Sequence, residues 1–164
     1  MKKLMLVATM VLGFAGMSFA QSLTANTSAD LKLQIVASMG MTVSGSVNFG
    51  SFATATSGTE SVTPASGAVF TVTGTPGTSF YVTLPASPSL TNGTTTITFT
   101  PNLEASVDGT TNSGTPSTGS VYTFNATGAN SGKYFFLLGG SVDLAGSETA
   151  GAYSGTYVLT ATYN

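Results

Sequence analysis

Gly151-Ala152-Tyr153-Ser154-Gly155-Thr156-Tyr157-Val158-Leu159-Thr160-Ala161-Thr162-Tyr163-Asn164 is the stretch from which the fold is read. Tyr153, Tyr157, Leu159, Ala161 and Tyr163 fall on one face of an extended segment. Ser154, Thr156, Thr160 and Thr162 fall on the other, with Val158 as the exception. Successive side chains of a strand point to opposite sides of the pleat, so this alternation predicts a half-buried β-strand over 153–163. A sequence that stops one residue after the last aromatic is expected to use that strand as a structural element.

Working outward, the same alternation recurs in short runs. Strands are expected over 41–43, 47–52, 68–73, 79–84, 95–100, 121–124, 134–138 and 142–144. Turn signals separate them: Gly58, Pro64 to Gly67, Gly74-Thr75-Pro76-Gly77, Pro85 to Pro88, Asn92-Gly93, Asp108-Gly109 and Gly139-Gly140. Asn92-Gly93 is the best hairpin candidate because both residues tolerate positive φ. Many short strands without a helical period predict an all-β fold, an Ig-like antiparallel β-sandwich. The stretch 109–118, rich in Gly, Thr and Ser, reads as a mobile loop.

The beginning of the chain reads as an export signal. Lys2 and Lys3 precede a short apolar run over 4–15, and Ser18-Phe19-Ala20 forms a small-x-small cleavage site. The expectation is a signal peptide over 1–20, a mature chain from Gln21, and export through the periplasm to the cell surface. The apolar run is shorter than the roughly 18–20 residues that cross a bilayer. No later run is long enough, so no membrane span is expected after signal cleavage.

From Gln21 to Met39 the odd positions are mostly apolar, and the even positions from Ser22 to Gln34 are all polar or charged. This unbroken pattern exceeds a usual strand length. It divides into an N-terminal extension over 21–34 and a β-sandwich domain over 35–164. Leu23, Ala25, Ala29, Leu31 and Leu33 share one face of the extension. They are candidate donor-strand residues, able to complete another sheet; an ordinary first strand of the chain's own sandwich reads equally well from alternation alone.

Composition excludes several chemistries. Only 6% of residues are charged, and histidine, cysteine and tryptophan are absent. All basic residues are lysines. Beyond residue 20, Lys32 and Lys133 stand against Asp30, Glu60, Glu104, Asp108, Asp143 and Glu148, which argues against nucleic acid or anionic lipid as a partner. Ser-His and Cys-His nucleophiles, His or Cys metal sites and arginine clamps are ruled out. Asp143 and Glu148 are the remaining carboxylate pair for glycoside chemistry. They flank Ala145-Gly146-Ser147 and read as solvated carboxylates of a hairpin tip. No segment gathers oxygen ligands at calcium-loop spacing. The expectation is no enzyme activity, no metal and no cofactor. Tyr134-Phe135-Phe136-Leu137-Leu138 reads as a strand buried on both faces.

Two resemblances add to this. A glycine fourteenth from the end, Gly151, a penultimate tyrosine, Tyr163, and alternating apolar residues between them resemble the C-terminal strand of chaperone–usher pilins. Asn48-Phe49-Gly50-Ser51-Phe52, Ala68-Val69-Phe70-Thr71-Val72-Thr73-Gly74 with Pro76-Gly77, Tyr81-Val82-Thr83-Leu84-Pro85, Gly139-Gly140-Ser141-Val142 and Gly151 to Val158 resemble the successive signatures of the DUF4402 family. These resemblances imply an exported domain that meets a periplasmic chaperone and an outer-membrane usher. They also imply a C-terminal assembly strand of Gly151, Tyr157, Leu159, Ala161 and Tyr163. The function expected is a structural subunit of an extracellular fimbria, an incomplete sandwich polymerised head-to-tail with copies of itself by donor-strand exchange. The alternative is a monomeric surface or secreted sandwich that fills its own groove.

Overall fold

The structure is a computed structural model that describes residues 37–86 and 88–164. The signal segment and the candidate donor residues Leu23, Ala25, Ala29, Leu31 and Leu33 lie outside the described residues. The elements in order are β1 (Gly40–Ser44), β2 (Ser57–Val62), a 3-10 turn (Pro64–Ser66), β3 (Ala68–Thr73), β4 (Ser79–Thr83), β5 (Ser89–Thr91), β6 (Thr96–Ser106), β7 (Val121–Thr123), β8 (Lys133–Ala145) and β9 (Thr160–Tyr163). The fold is all-β, and every pairing between these strands is antiparallel.

β8 organises the larger sheet. Its run Lys133-Tyr134-Phe135-Phe136-Leu137-Leu138 pairs with β3 along one edge, and the continuation of that edge, from Gly140 to Ala145, pairs with β2. Its other edge pairs with β6 from Phe135 to Val142. A strand with neighbours on both edges can bury apolar residues on both faces, and Phe136, Leu137 and Leu138 are all buried. β1 lies outside β3, and β5 lies outside β6.

The smaller sheet has the order β7-β4-β9. Phe80 of β4 stacks on Phe124 with ring centroids 4.3 Å apart and meets Tyr134 and Phe136 of the larger sheet edge-on at 5.8 and 6.4 Å. Tyr122 reaches Phe136 at 5.1 Å. These offset and edge-on geometries suit aromatic quadrupoles, and they form the core that joins two antiparallel sheets into a sandwich.

Several boundaries differ from the sequence expectation, each for a physical reason. Gly139-Gly140 is not a turn between two strands but the interior of β8. A Cβ on Gly139 would collide with the backbone of Val62, Thr63 and Pro64, and one on Gly140 with the Phe99 ring and Thr100 O. Gly139 makes room for the connection from β2 to β3, which crosses β8 at this point, and Gly140 makes room for β6. Gly58, a turn signal in the sequence, lies inside β2 opposite Leu144. β6 runs on through Pro101, which faces Gly140, a residue with no side chain. The expected strand over 47–52 is a loop, turned by Asn48, whose Oδ1 accepts the Gly50 N–H at 2.9 Å. Asn92-Gly93 does form a hairpin, between β5 and β6, with Gly93 at φ 92°.

The segment 109–118 is a loop with its own fastening rather than free chain. The Asp108 carboxylate accepts the Thr110 and Thr111 N–H groups at 2.8 and 2.7 Å, and also the hydroxyls of Ser106, Thr110 and Thr111. Ala105 of β6 exchanges backbone hydrogen bonds with Ser113 and Gly114 at 2.7 and 2.8 Å.

The strand expected over 153–163 is shorter than the alternation: only Thr160–Tyr163 is laddered, against β4. The facing is nevertheless as read. Leu159 is buried and Tyr153, Tyr157, Ala161 and Tyr163 are half-buried, while Ser154, Thr156, Val158, Thr160 and Thr162 are exposed.

A candidate acceptor groove

The smaller sheet covers only part of the larger sheet's inner face. The remaining part, built from Ala68, Phe70, Ile97, Phe99, Leu138 and Val142, is covered by two irregular segments, 45–56 and 149–157. Phe49 packs edge-on against Phe99 at 6.0 Å, and Tyr157 meets Phe70 and Phe99 at 6.1 and 6.5 Å. Between the two segments lie two adjoining cavities of about 680 and 420 Å³, which share Ser46, Val47, Phe49, Leu90 and Gly155 in their walls.

The banks of this groove owe their positions to local chemistry. The Glu148 carboxylate closes the end of β8 by accepting the Ala145 and Gly146 N–H groups at 2.5 and 2.9 Å. Those backbone donors, Ala145 first, hold its pKa below the ordinary carboxylate value. Thr149 O accepts the Tyr153 hydroxyl at 2.9 Å. Ser154 and Thr91 exchange both backbone hydrogen bonds, at 2.8 and 3.0 Å, which ties the bank to β5. Beyond Ser154 the pairing stops. Among the described residues, the backbones of 155–159 on one bank and 45–47 on the other make no hydrogen bond. Backbone donors and acceptors are obligatory hydrogen-bonding groups, so these two stretches, bordering an apolar floor, are what an added extended segment would pair with.

The opposite end of the domain carries a tight cluster. Tyr163 is half-buried, and its hydroxyl accepts the Thr75 N–H at 3.0 Å and donates to Ala37 O at 2.8 Å. The Ala37 N–H in turn donates to Thr75 Oγ1 at 2.6 Å. A Cβ on Gly74 would collide with the Phe124 ring and this hydroxyl, so the glycine makes room for the tyrosine.

The residues expected to form a C-terminal assembly strand are therefore divided. Tyr157 lines the groove; Leu159 lies in the core; Ala161 and Tyr163 pair with Val82 and Phe80 of β4; and Gly151 sits exposed at φ 153° beside the Asn92 side chain. Val47, Phe49 and Leu90 complete the groove walls, a placement that the alternation over 47–52 does not show. Asn48-Phe49-Gly50 carried the signal, because an Asn two residues ahead of a glycine marks a turn rather than a strand.

The carboxylates have structural partners. Asp143 accepts the Thr59 hydroxyl across the β2–β8 pair, and Asp108 and Glu148 hold turns. Among the described residues no cluster of acidic side chains could hold a metal ion, and no helix is long and apolar enough to cross a membrane. No curated protein matches the chain. Residues 15–163 match the profile of a domain of unknown function, DUF4402, and with nearly all of its length matched the chain belongs to that family.

Proposed function

We propose that this protein is a structural subunit of an extracellular filament, exported and then polymerised by donor-strand exchange. The observation that carries the proposal is the groove, with an apolar floor and two banks whose backbone has no hydrogen-bond partner among the described residues. The segment over 21–34 supplies the complementary chemistry, with Leu23, Ala25, Ala29, Leu31 and Leu33 on one face. A strand added there would satisfy the backbone while alternate side chains enter the cavities. A head-to-tail contact of this kind does not close on itself and gives a fibre.

Before assembly the open groove would expose apolar surface, so a periplasmic chaperone and an outer-membrane usher are the partners this reading requires. The tail from Gly151 through Tyr157, Leu159, Ala161 and Tyr163 borders the surface such a chaperone would hold. Electrophoresis of unboiled cell-surface extracts tests the proposal. A heat-sensitive ladder of multimers is the expected result. A single monomeric band would instead favour a sandwich that fills its own groove and acts alone as a surface or secreted binding protein.

A further inference from the structure

We infer that Asn92 is a self-modifying site: its carboxamide reacts with the backbone nitrogen of Gly93 and ends as a carboxylate, which loosens the 149–155 bank of the groove. The reaction needs no partner chain, so the inference stands apart from the filament reading.

The β5–β6 hairpin brings the reacting groups together. Asn92 Oδ1 reaches past Gly93 to accept the Thr94 and Thr95 N–H groups at 3.0 and 2.8 Å, and also the Thr94 hydroxyl at 3.0 Å. A side chain folded forward in this way lays its Cγ alongside the Gly93 nitrogen. Gly93 is exposed at φ 92°, and a Cβ there would meet nothing within 4 Å, so the nitrogen is open to its neighbour and to water. Its N–H donates to Thr91 Oγ1 at 3.0 Å. The three donors on Oδ1 draw electrons from Cγ and stand where negative charge develops as the nitrogen attacks.

The chemistry balances without an outside reagent other than water. The Gly93 nitrogen bonds to Asn92 Cγ, and the carboxamide nitrogen leaves as ammonia, taking the proton that the Gly93 nitrogen gives up. One water then opens the cyclic succinimide at either carbonyl, giving aspartate or an isoaspartyl link. Asn92-Gly93 is the one Asn-Gly pair in the sequence. Asn48 and Asn112 also fold forward, onto the Gly50 and Gly114 N–H groups, but the residues that follow them, Phe49 and Ser113, carry side chains that crowd the nitrogen.

The product acts on the groove. Asn92 Nδ2 donates to Thr149 O at 3.4 Å, and Thr95 Oγ1 meets Thr149 Oγ1 at 3.1 Å. These contacts, with the Thr91–Ser154 bridge, hold the bank to the hairpin. A carboxylate at position 92 has no proton to donate and turns an acceptor toward the Thr149 carbonyl.

Peptide mapping by mass spectrometry of the full chain, aged in mildly alkaline buffer, tests the reaction. The peptide with Asn92 should convert to aspartyl and isoaspartyl forms while those with Asn48 and Asn112 stay unchanged. The folded chain should react at least about fivefold faster than the chain unfolded in guanidinium chloride, the factor that one neutral hydrogen bond sets. Thr94→Val, which removes one donor to Oδ1, should slow the folded chain by a similar factor. No conversion, faster conversion in the unfolded chain, or an unchanged rate in folded Thr94→Val would overturn activation by the hairpin. Asn92→Asp reads the consequence: chymotrypsin should cut after Tyr153 several-fold faster than in fresh wild type, with circular dichroism unchanged. Equal cutting of the two folded proteins would overturn the loosening of the bank.

Discussion

Single residues decide this fold where backbone passes close to backbone. Gly139 leaves space for the 62–64 connection, and a methyl group there has nowhere to go. Gly139→Ala is therefore expected to destabilise the domain by about 3 kcal/mol or more, the upper end of what overpacking costs. Gly93 faces open space but sits at φ 92°, so Gly93→Ala should cost only the strain of that conformation, about 1–2 kcal/mol. Urea titration of the two variants measures the difference. Titrating residues make a second prediction. Backbone N–H groups of Thr111 and Thr110 draw the Asp108 pKa far below its ordinary value, and those of Ala145 and Gly146 lower Glu148. Groups with depressed folded pKa values stabilise fully above their unfolded values, near 4, and lose that contribution as pH falls through the folded ones. Burial raises the pKa of Tyr122, Tyr134 and Tyr157. Their contribution is whole below about pH 10 and is lost as pH rises through the folded values. With no histidine or cysteine in the chain, the melting temperature should be flat from about pH 5 to about pH 9 and fall on both sides. Replacing Asp108 with Asn should weaken the acid limb, which a series of thermal melts would show.

At the scale of elements, alternation predicted facing better than it predicted pairing. The odd-numbered positions from Tyr153 to Tyr163, Gly155 apart, do turn inward, yet only Thr160–Tyr163 is laddered. Side-chain facing is set by burial, which the sequence displays. A ladder also needs a neighbouring strand, which the residues of one segment do not encode. The same gap explains β2: Ser57-Gly58-Thr59-Glu60-Ser61 has little apolar content and forms a strand because the far half of β8 offers an edge. It explains β8 in reverse, since Gly139-Gly140 has the composition of a turn and lies in a strand because the 62–64 connection crosses at Gly139 and β6 packs close at Gly140. The groove was legible only as a demand for a partner strand. Its walls come from the loop around Phe49 and from Leu90, brought together by tertiary structure. Leu159→Ala should cost roughly 2–5 kcal/mol, as expected for a buried leucine, and exposed Val158→Ala within about 0.5 kcal/mol. Equal costs in denaturant titrations would mean that the facing of the tail is wrong. On the proposed donor segment, Leu31→Asp would carry an unpaired carboxylate into an apolar cavity and should abolish multimers, whereas Lys32→Asp should leave them intact. Ladder formation by the two variants checks this.

At the scale of the whole molecule, the chain has no cysteine and therefore no disulfide to hold it. Its stability comes from an aromatic core between two sheets and from β8, paired on both edges. One end of that sandwich is finished, with Tyr163 fastening Ala37 to the 74–77 turn; the other is left with an apolar groove and unpaired backbone among the described residues. In the proposed filament, the groove of each copy would be covered by the next. The most direct measurement is calorimetric titration of a peptide of residues 21–34 into the chain lacking that segment, once circular dichroism shows the truncated domain folded. The account predicts saturable one-to-one binding and a melting temperature raised by several degrees, since a ligand that binds only the folded state stabilises it. A peptide carrying Leu31→Asp should do neither. If the folded domain takes up the native peptide no better than the substituted one, the groove is not an acceptor for this segment and the filament proposal is contradicted.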